Sequence, residues 1–144
     1  MSKGYEEDVL LWAQEQVALL RSGKFAALDI EHIAEEIEDV GKSEQRELAN
    51  RMAVLLAHLL KWRYQPERRG VSWQRTIKHQ RERIMLALQR TPSLKVMLAT
   101  SDWQREIWLD ALDDARQQTG LDVFPEDCPW SMDQVMAEEF FPED

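Results

Sequence analysis

The longest amphipathic pattern in the chain lies in residues 29–65, DIEHIAEEIEDVGKSEQRELANRMAVLLAHLLKWRYQ. Its apolar side chains recur in steps of three and four: Ile30, Ile33, Ile37, Val40, Leu48, Met52, Leu55, Leu59 and Trp62. This spacing places them on one stripe of an α-helix. Because the phase continues across Gly41, we predict one helix of about 35 residues, about 50 Å long, rather than two that meet at the glycine. Asp29 is suited to cap its start, and Pro66 to end it.

Shorter helical patterns flank this helix on both sides. We predict helices over residues 5–22, 72–90, 92–98 and 101–119, and a last short helix after Ser131. The S-x-x-Q patterns that begin at Ser101 and Ser131 match the capping box, and Ser72 is suited to cap its own helix. No stretch shows sustained β-strand alternation. The sequence therefore predicts an all-α fold, a helical bundle of about six helices organised around the long one, in one domain that covers residues 1–144.

The net charge of −9 is unevenly distributed along the 144 residues. Residues 61–95 hold ten Lys and Arg side chains and two acids, whereas residues 29–39 hold six acids and no Lys or Arg. The overall acidity argues against general affinity for nucleic acid. Residues 61–95, here called the basic segment, are an exception to this acidity and form a candidate site.

Several features of the sequence predict a cytoplasmic protein. The single cysteine, Cys128, cannot form an internal disulfide, which fits a reducing compartment. The acidic N-terminus lacks the apolar core of a signal peptide. The longest apolar run, residues 52–60, is far shorter than a membrane span. We therefore expect no membrane partner.

The basic segment predicts two alternative roles. Its Lys and Arg side chains alternate with Trp62, Tyr64 and Trp73, which is the composition of a phosphate-binding surface with stacking aromatics. The candidate surface residues are Arg68, Arg69, Arg75, Lys78 and Arg81. Alternatively, the segment lies against the acidic first half of the long helix, where opposite charges fix the alignment and the tryptophans belong to the core. We favour the second interpretation, because charge runs on helices are usually solvated or paired.

No set of side chains predicts a catalytic or cofactor site. His32, Glu35 and Glu36 have helical spacing, but in the reverse of the Glu-x-x-His order of di-iron bundles, so a solvated acidic face is favoured over a metal site. His58 lies among leucines and is expected to form a hydrogen bond in the core. Cys128 has acidic neighbours that disfavour a thiolate nucleophile. We therefore predict no catalytic residue, no metal and no cofactor.

Five pieces of the sequence keep a characteristic order over nearly the whole chain: LLRSGKFAALD, EEIEDVGKSE, HLLKW, TPSL and TGLDVFPEDCPW. In these pieces the chain resembles the bacterial family catalogued as domain of unknown function number twenty-nine. The resemblance implies a small all-helical protein without an established activity, cofactor or catalytic residue.

Six tryptophans in a short chain with segregated charge favour a protein-interaction or regulatory module without catalytic activity. Such a module would act through a protein partner or by self-association. The alternative is a nucleic-acid or phosphate-ligand binder that uses the basic segment. A metal-assisted enzyme around His32, Glu35 and Glu36 is a weaker alternative.

Overall fold

The computed structural model describes residues 4–143, which form six α-helices and three short 3₁₀ helices and contain no β-strand. The α-helices are α1 (Val9–Arg21), α2 (Ile30–Tyr64), α3 (Val71–Arg90), α4 (Lys95–Leu98), α5 (Ser101–Thr119) and α6 (Met132–Met136). The 3₁₀ helices are Phe25–Ala27, Pro66–Arg68 and Pro92–Leu94. The all-α prediction and the long helix predicted over residues 29–65 are confirmed.

Helix α2 is continuous through Gly41 and has 35 residues. Asp29 caps its start, where the backbone N–H of His32 donates to Asp29 Oδ1 over 3.4 Å. The helix ends one residue before Gln65, and Pro66 opens the next 3₁₀ helix. The apolar stripe therefore predicted the extent of this helix, and Asp29 and Pro66 predicted its two ends.

The other helix ends follow the sequence signals only in part. Ser131 forms the predicted capping box at the start of α6. Gly120 ends α5 in the left-handed conformation (φ +72°), which favours glycine. The caps predicted at Ser72 and Ser101 are wrong, because α3 begins at Val71 and α5 begins at Ser101 itself.

The backbone contacts divide the chain into two compact units, residues 1–44 and residues 45–144, with the boundary inside α2. The single domain over residues 1–144 stays a prediction, and each unit is described by itself. Across residues 4–143, no helix combines the length and the apolar character that crossing a membrane requires.

The first unit is a helical hairpin with very little interior. Helix α1 connects through Gly23 (φ +74°) and the short 3₁₀ helix to the first part of α2. Among its described residues, only Trp12 and Gln16 are buried. Its apolar side chains are therefore mostly in contact with water.

The second unit contains an extensive apolar core. Buried side chains come from the second part of α2, from α3 and from α5: Leu48, Met52, Leu55, Leu56, Leu59, Leu60, Ile77, Ile84, Trp103, Ile107, Trp108 and Leu112. Phe124 and Val135 join them from the C-terminal segment. Burial of these side chains is the main contribution to the stability of this unit.

Arg81 fixes the C-terminal segment of the second unit to α3. Its side chain is buried, with 4% of its surface exposed. The guanidinium donates to the backbone carbonyls of Val135 and Glu138 over 2.9 and 3.1 Å, and to that of Phe140. It also lies 5.5 Å from the centre of the Phe141 ring. These contacts give one buried cation three carbonyl acceptors, one in α6 and two after it.

We predict that Arg81→Met lowers the free energy of unfolding by about 3 kcal/mol, because it leaves buried carbonyl groups without donors. Arg83→Met is the matched control, since Arg83 is exposed on the same helix. The control should change the stability by no more than about 0.5 kcal/mol. Urea unfolding measures both, and equal stability of the two variants would contradict this role for Arg81.

Candidate functional site

A polar network around Asp29 holds the two helices of the first unit together. The indole N–H of Trp12 donates to Asp29 Oδ2 over 2.9 Å, and the backbone N–H of Asp29 donates to Gln16 Oε1 over 2.8 Å. His32 Nδ1 lies 2.7 Å from the same Asp29 Oδ2. One carboxylate thus connects α1, the loop and α2. These bonds provide hydrogen-bond partners for the two buried residues of α1.

Tyr5 lies over this network from the N-terminal side. Its ring stacks on that of His32 with centroids 4.2 Å apart, and it meets the Trp12 ring edge-on at 4.9 Å. Its hydroxyl donates to the Glu36 carboxylate. That hydrogen bond is the main reason why the pKa of Tyr5 is raised to about 12. The N-terminal turn is therefore anchored to α2 by a ring stack and a charge-assisted bond.

An apolar groove runs between α1 and the first part of α2 and has a volume of about 260 Å³. We call it the α1–α2 groove. Its lining residues are Trp12, Ala13, Gln16, Val17, Leu20, Ile33, Glu36, Ile37 and Val40. Nearly all of these side chains are apolar, and they lie where the stripe of α2 faces α1.

The apolar side chains along this groove are exposed to an unusual degree. Ile37 and Val40 each expose 66% of their surface, and Val17 and Leu20 expose 42% and 45%. The sequence placed Ile37 and Val40 on the same stripe as the buried Leu48, but it did not predict whether another element packs against them. An apolar stripe predicts a helix face, but it does not show whether the chain has another element to pack against it.

The first unit is strongly acidic. Residues 1–44 hold eleven Asp and Glu and four Lys and Arg, a formal charge of −7. Glu36 lines the groove. Glu31 and Glu38 are exposed but lie on the opposite side of α2 from the groove, by the rotation of the helix. The groove therefore has one carboxylate in its lining, within a unit that is acidic as a whole.

The predicted residues of the basic segment lie in two kinds of environment. Arg68, Arg75 and Lys78 are exposed, and none has a hydrogen bond or ion pair within residues 4–143. Arg69 donates from Nε to the Trp62 carbonyl over 2.6 Å and lies over the Trp62 ring. Arg81 is buried, as described above. The structure therefore does not bring the five residues together as one free basic surface.

The aromatic side chains of the basic segment contact the protein's own cations. Lys61 is buried, donates to Gln118 Oε1 over 2.6 Å, and lies 5.3 Å from the centre of the Trp73 ring. Its burial lowers its pKa. Trp62 is buried in the core. These contacts leave little aromatic surface for stacking on bases.

Helix α3 presents a mixed apolar and basic face to solvent. Val71 is 58% exposed, and Met85 and Leu86 are each 48% exposed. Arg75 and Lys78 lie on the same side of the helix by their spacing. A shallow cavity of about 430 Å³ on this face is lined by Lys78, Arg81, Glu82, Met85, Leu86, Gln89 and Glu138.

The two side chains weighed as isolated candidates are both engaged in local contacts. His58 is half-buried with Nδ1 2.9 Å from the Val54 carbonyl, and desolvation lowers its pKa. Cys128 donates from Sγ to the Trp130 carbonyl over 3.3 Å, and burial raises the pKa of its thiol. The sequence predicted that the thiolate form of Cys128 is disfavoured, and the raised pKa agrees with this. The cause is burial rather than the neighbouring acids.

Of the three side chains considered for a metal site, His32 and Glu36 form contacts within the hairpin and Glu35 is exposed. The His32 ring contacts Asp29 and Tyr5, and Glu36 accepts the Tyr5 hydroxyl. Within residues 4–143, no three His, Cys, Asp or Glu side chains are grouped so that they could hold a metal ion.

The Asp29 network makes the stability of the first unit depend on pH. The hydrogen bond between Asp29 and His32 raises the pKa of His32, with Glu35 and Glu6 adding to the effect, and lowers the pKa of Asp29. The contribution of His32 is complete below its ordinary pKa of about 6.5 and is lost as the pH rises through the raised value. That of Asp29 is complete above about pH 3.9 and is lost as the pH falls through the lowered value.

We predict that the α1 amides exchange hydrogen more slowly at about pH 5.5 than at about pH 8.5, after correction for intrinsic exchange rates. His32→Gln should remove this difference, whereas His79→Gln, at an exposed position of α3, should retain it. Hydrogen–deuterium exchange with mass spectrometry of residues 9–21 measures the effect. Equal pH dependence in the wild type and His32→Gln would show that the network does not stabilise the hairpin.

Comparison with known proteins agrees with the resemblance seen in the sequence. No curated protein and no solved structure is detectably similar to the chain. The family model described as "Domain of unknown function DUF29" matches residues 5–141 of the 144 residues. Since this match covers both units almost completely, the chain belongs to the DUF29 family.

Proposed function

We propose that the protein is a cytoplasmic interaction module without catalytic activity, and that its α1–α2 groove binds an amphipathic helix that carries basic side chains. The observation that supports this function is the set of exposed apolar side chains along the groove, led by Ile37 and Val40. Contiguous exposed apolar surface on a folded protein is typical of a binding site. The single cysteine supports the cytoplasmic location.

The shape of the groove favours a helical partner. Its walls are two helices, and a third helix packs between two others by inserting its side chains between theirs. A bound helix presents apolar anchors at steps of three, four and seven residues, as in other helix-in-groove complexes. The row Ile33, Ile37 and Val40 on α2 has the same periodicity. The apolar row of the bound helix would therefore have the same spacing as the apolar row of α2.

The charge of the first unit favours a basic partner. A helix bound in the groove would lie beside Glu36, in a unit with a formal charge of −7. An acidic helix would meet like charges there, whereas a basic helix would be attracted during the encounter and retained in a defined register. The charges thus provide specificity, and the apolar contacts provide most of the affinity.

The alternative function, binding of nucleic acid or a phosphate ligand through the basic segment, is supported by the exposure of Arg68, Arg75 and Lys78. It is less favoured because Lys61 and Arg81 are buried and Arg69 is bonded to the backbone. Its signature would be affinity for single-stranded nucleic acid that falls steeply as salt is raised. The weaker alternative, a metal-assisted enzyme around His32, gains no support from the contacts of that side chain.

Photo-crosslinking in the cells that express the protein tests the proposed function. Ile37 is replaced by the photoreactive residue p-benzoylphenylalanine, and the matched control carries it at Val96, which lies in the second unit and is similarly exposed. We predict that position 37 crosslinks to a helical segment with basic side chains and that position 96 does not. Mass spectrometry of the crosslinked peptides identifies the segment.

Two results would contradict the proposal. One is the absence of crosslinks at position 37 that exceed those at position 96. The other is a set of crosslinks at position 37 that map to acidic or extended segments, since these do not fit the charge and shape of the groove.

A further inference from the structure

We propose that the helix bound in the α1–α2 groove is α3 of a second copy of this chain. This inference rests on the proposed function and specifies its partner. It is motivated by the exposed face of α3, which has the composition that the groove requires.

The exposed face of α3 is apolar and basic. By the rotation of the helix, Val71, Arg75, Lys78, Met85 and Leu86 lie within about 100° of one another. All five are exposed. Three of them supply apolar surface and two supply positive charge. The exposed Glu82 lies in the same sector, so the net charge of this face is +1. This face therefore has the amphipathic, basic character expected for the occupant of the groove.

The lengths of the two elements are compatible. Helix α3 has 20 residues, which corresponds to about 30 Å, and α1 has 13 residues, which corresponds to about 20 Å. The face from Val71 to Leu86 can therefore lie along the whole groove wall formed by α1. Because α3 is longer than α1, its ends would extend beyond the ends of α1.

Opposite charges favour a contact of α3 with the groove over a contact of one groove with another. The exposed charged residues of α3 have a formal charge of +3, from four Lys and Arg side chains and Glu82, and residues 1–44 carry −7. A contact of α3 with the groove of another copy brings these opposite charges together. A contact of groove with groove would bring together two surfaces of −7 and is disfavoured by like-charge repulsion. Charge thus selects a contact between different surfaces of the two copies.

A contact of this kind is heterologous, since each copy contributes a groove to one contact and an α3 face to another. Two such contacts can close a dimer, and a series of them can extend a chain of copies. One helix face in a short groove makes a small interface, so we expect a dissociation constant of about 10–100 µM. The contact should weaken as salt is raised, because screening reduces the attraction.

Self-association of purified full-length protein tests the inference, with sedimentation velocity at about 5–500 µM. The groove variant is Ile37→Glu with Val40→Glu, and the α3 variant is Lys78→Glu with Met85→Glu. The matched control is Val96→Glu, at a position that is 70% exposed and belongs to neither surface. Circular dichroism verifies that each variant is folded, and Ile37→Ser with Val40→Ser replaces the groove variant if it is not.

We predict that the wild type and the Val96→Glu control associate as concentration rises, while the groove variant and the α3 variant each stay monomeric. Mixing the two variants should then restore association to a dimer, because the mixture contains one intact groove and one intact α3 face. Rescue by mixing is specific to a heterologous contact.

Two outcomes would overturn the inference. Wild-type protein that is monomeric at about 500 µM excludes a second copy as the occupant in this concentration range. An α3 variant that still associates, while the groove variant does not, shows that groove pairs with groove. The proposed function would survive the first outcome if position 37 crosslinks to a basic helix of a different protein, so the two failures are distinguishable.

Discussion

Helix α2 carries one apolar stripe through two environments, and this difference determines what each unit can do. From Leu48 onward, side chains of α3 and α5 cover the stripe in a continuous core. From Ile30 to Val40, the stripe lies beside α1 in the first unit, and Ile37 and Val40 are 66% exposed. Exposed apolar surface is unfavourable in water, in proportion to its area. The uncovered half of the stripe is therefore the part of the molecule that gains most from a partner.

The first unit is stabilised mainly by polar contacts. With only Trp12 and Gln16 buried among its described residues, its hydrophobic stabilisation is small. The Asp29 carboxylate compensates for this by accepting hydrogen bonds from groups in α1 and in α2. Tyr5 adds a ring stack and a bond to Glu36. Binding in the groove would add the apolar contacts that the unit lacks, so partner binding and stability are expected to be coupled.

Charge in the second unit is used in two distinct ways. Lys61 and Arg81 are buried, where they bond to Gln118 and to backbone carbonyls and serve the fold. Arg75 and Lys78 are exposed on α3, where they are available to a partner. The basic segment is therefore continuous in sequence but divided in space, and it does not form one extended basic surface.

The sequence predicted the features that depend on local periodicity and local hydrogen bonds. The extent of α2, the cap at Asp29 and the capping box at Ser131 all follow from neighbouring residues. The cap at Ser72 failed because the helix starts one residue earlier, with Gly70 in an extended conformation before it.

Features that depend on contacts between residues far apart in the chain could not be predicted from local sequence patterns. Arg81 looked like one more surface cation, because its acceptors lie more than fifty residues further along the chain. The exposure of Ile37 and Val40 was hidden for a similar reason. Their periodicity is the same as that of buried residues, and only the three-dimensional arrangement shows what lies next to them.

The most direct measurement is intermolecular paramagnetic relaxation enhancement between two populations of the full chain. One carries a spin label at Gln89→Cys, on the exposed face of α3, in a Cys128→Ser background. The other is unlabelled and has isotopically enriched methyl groups. Our account predicts selective broadening of the Ile37 and Val40 methyl signals, with the exposed Val96 methyl unaffected. Equal broadening at Val96, or no broadening in the groove, would contradict it.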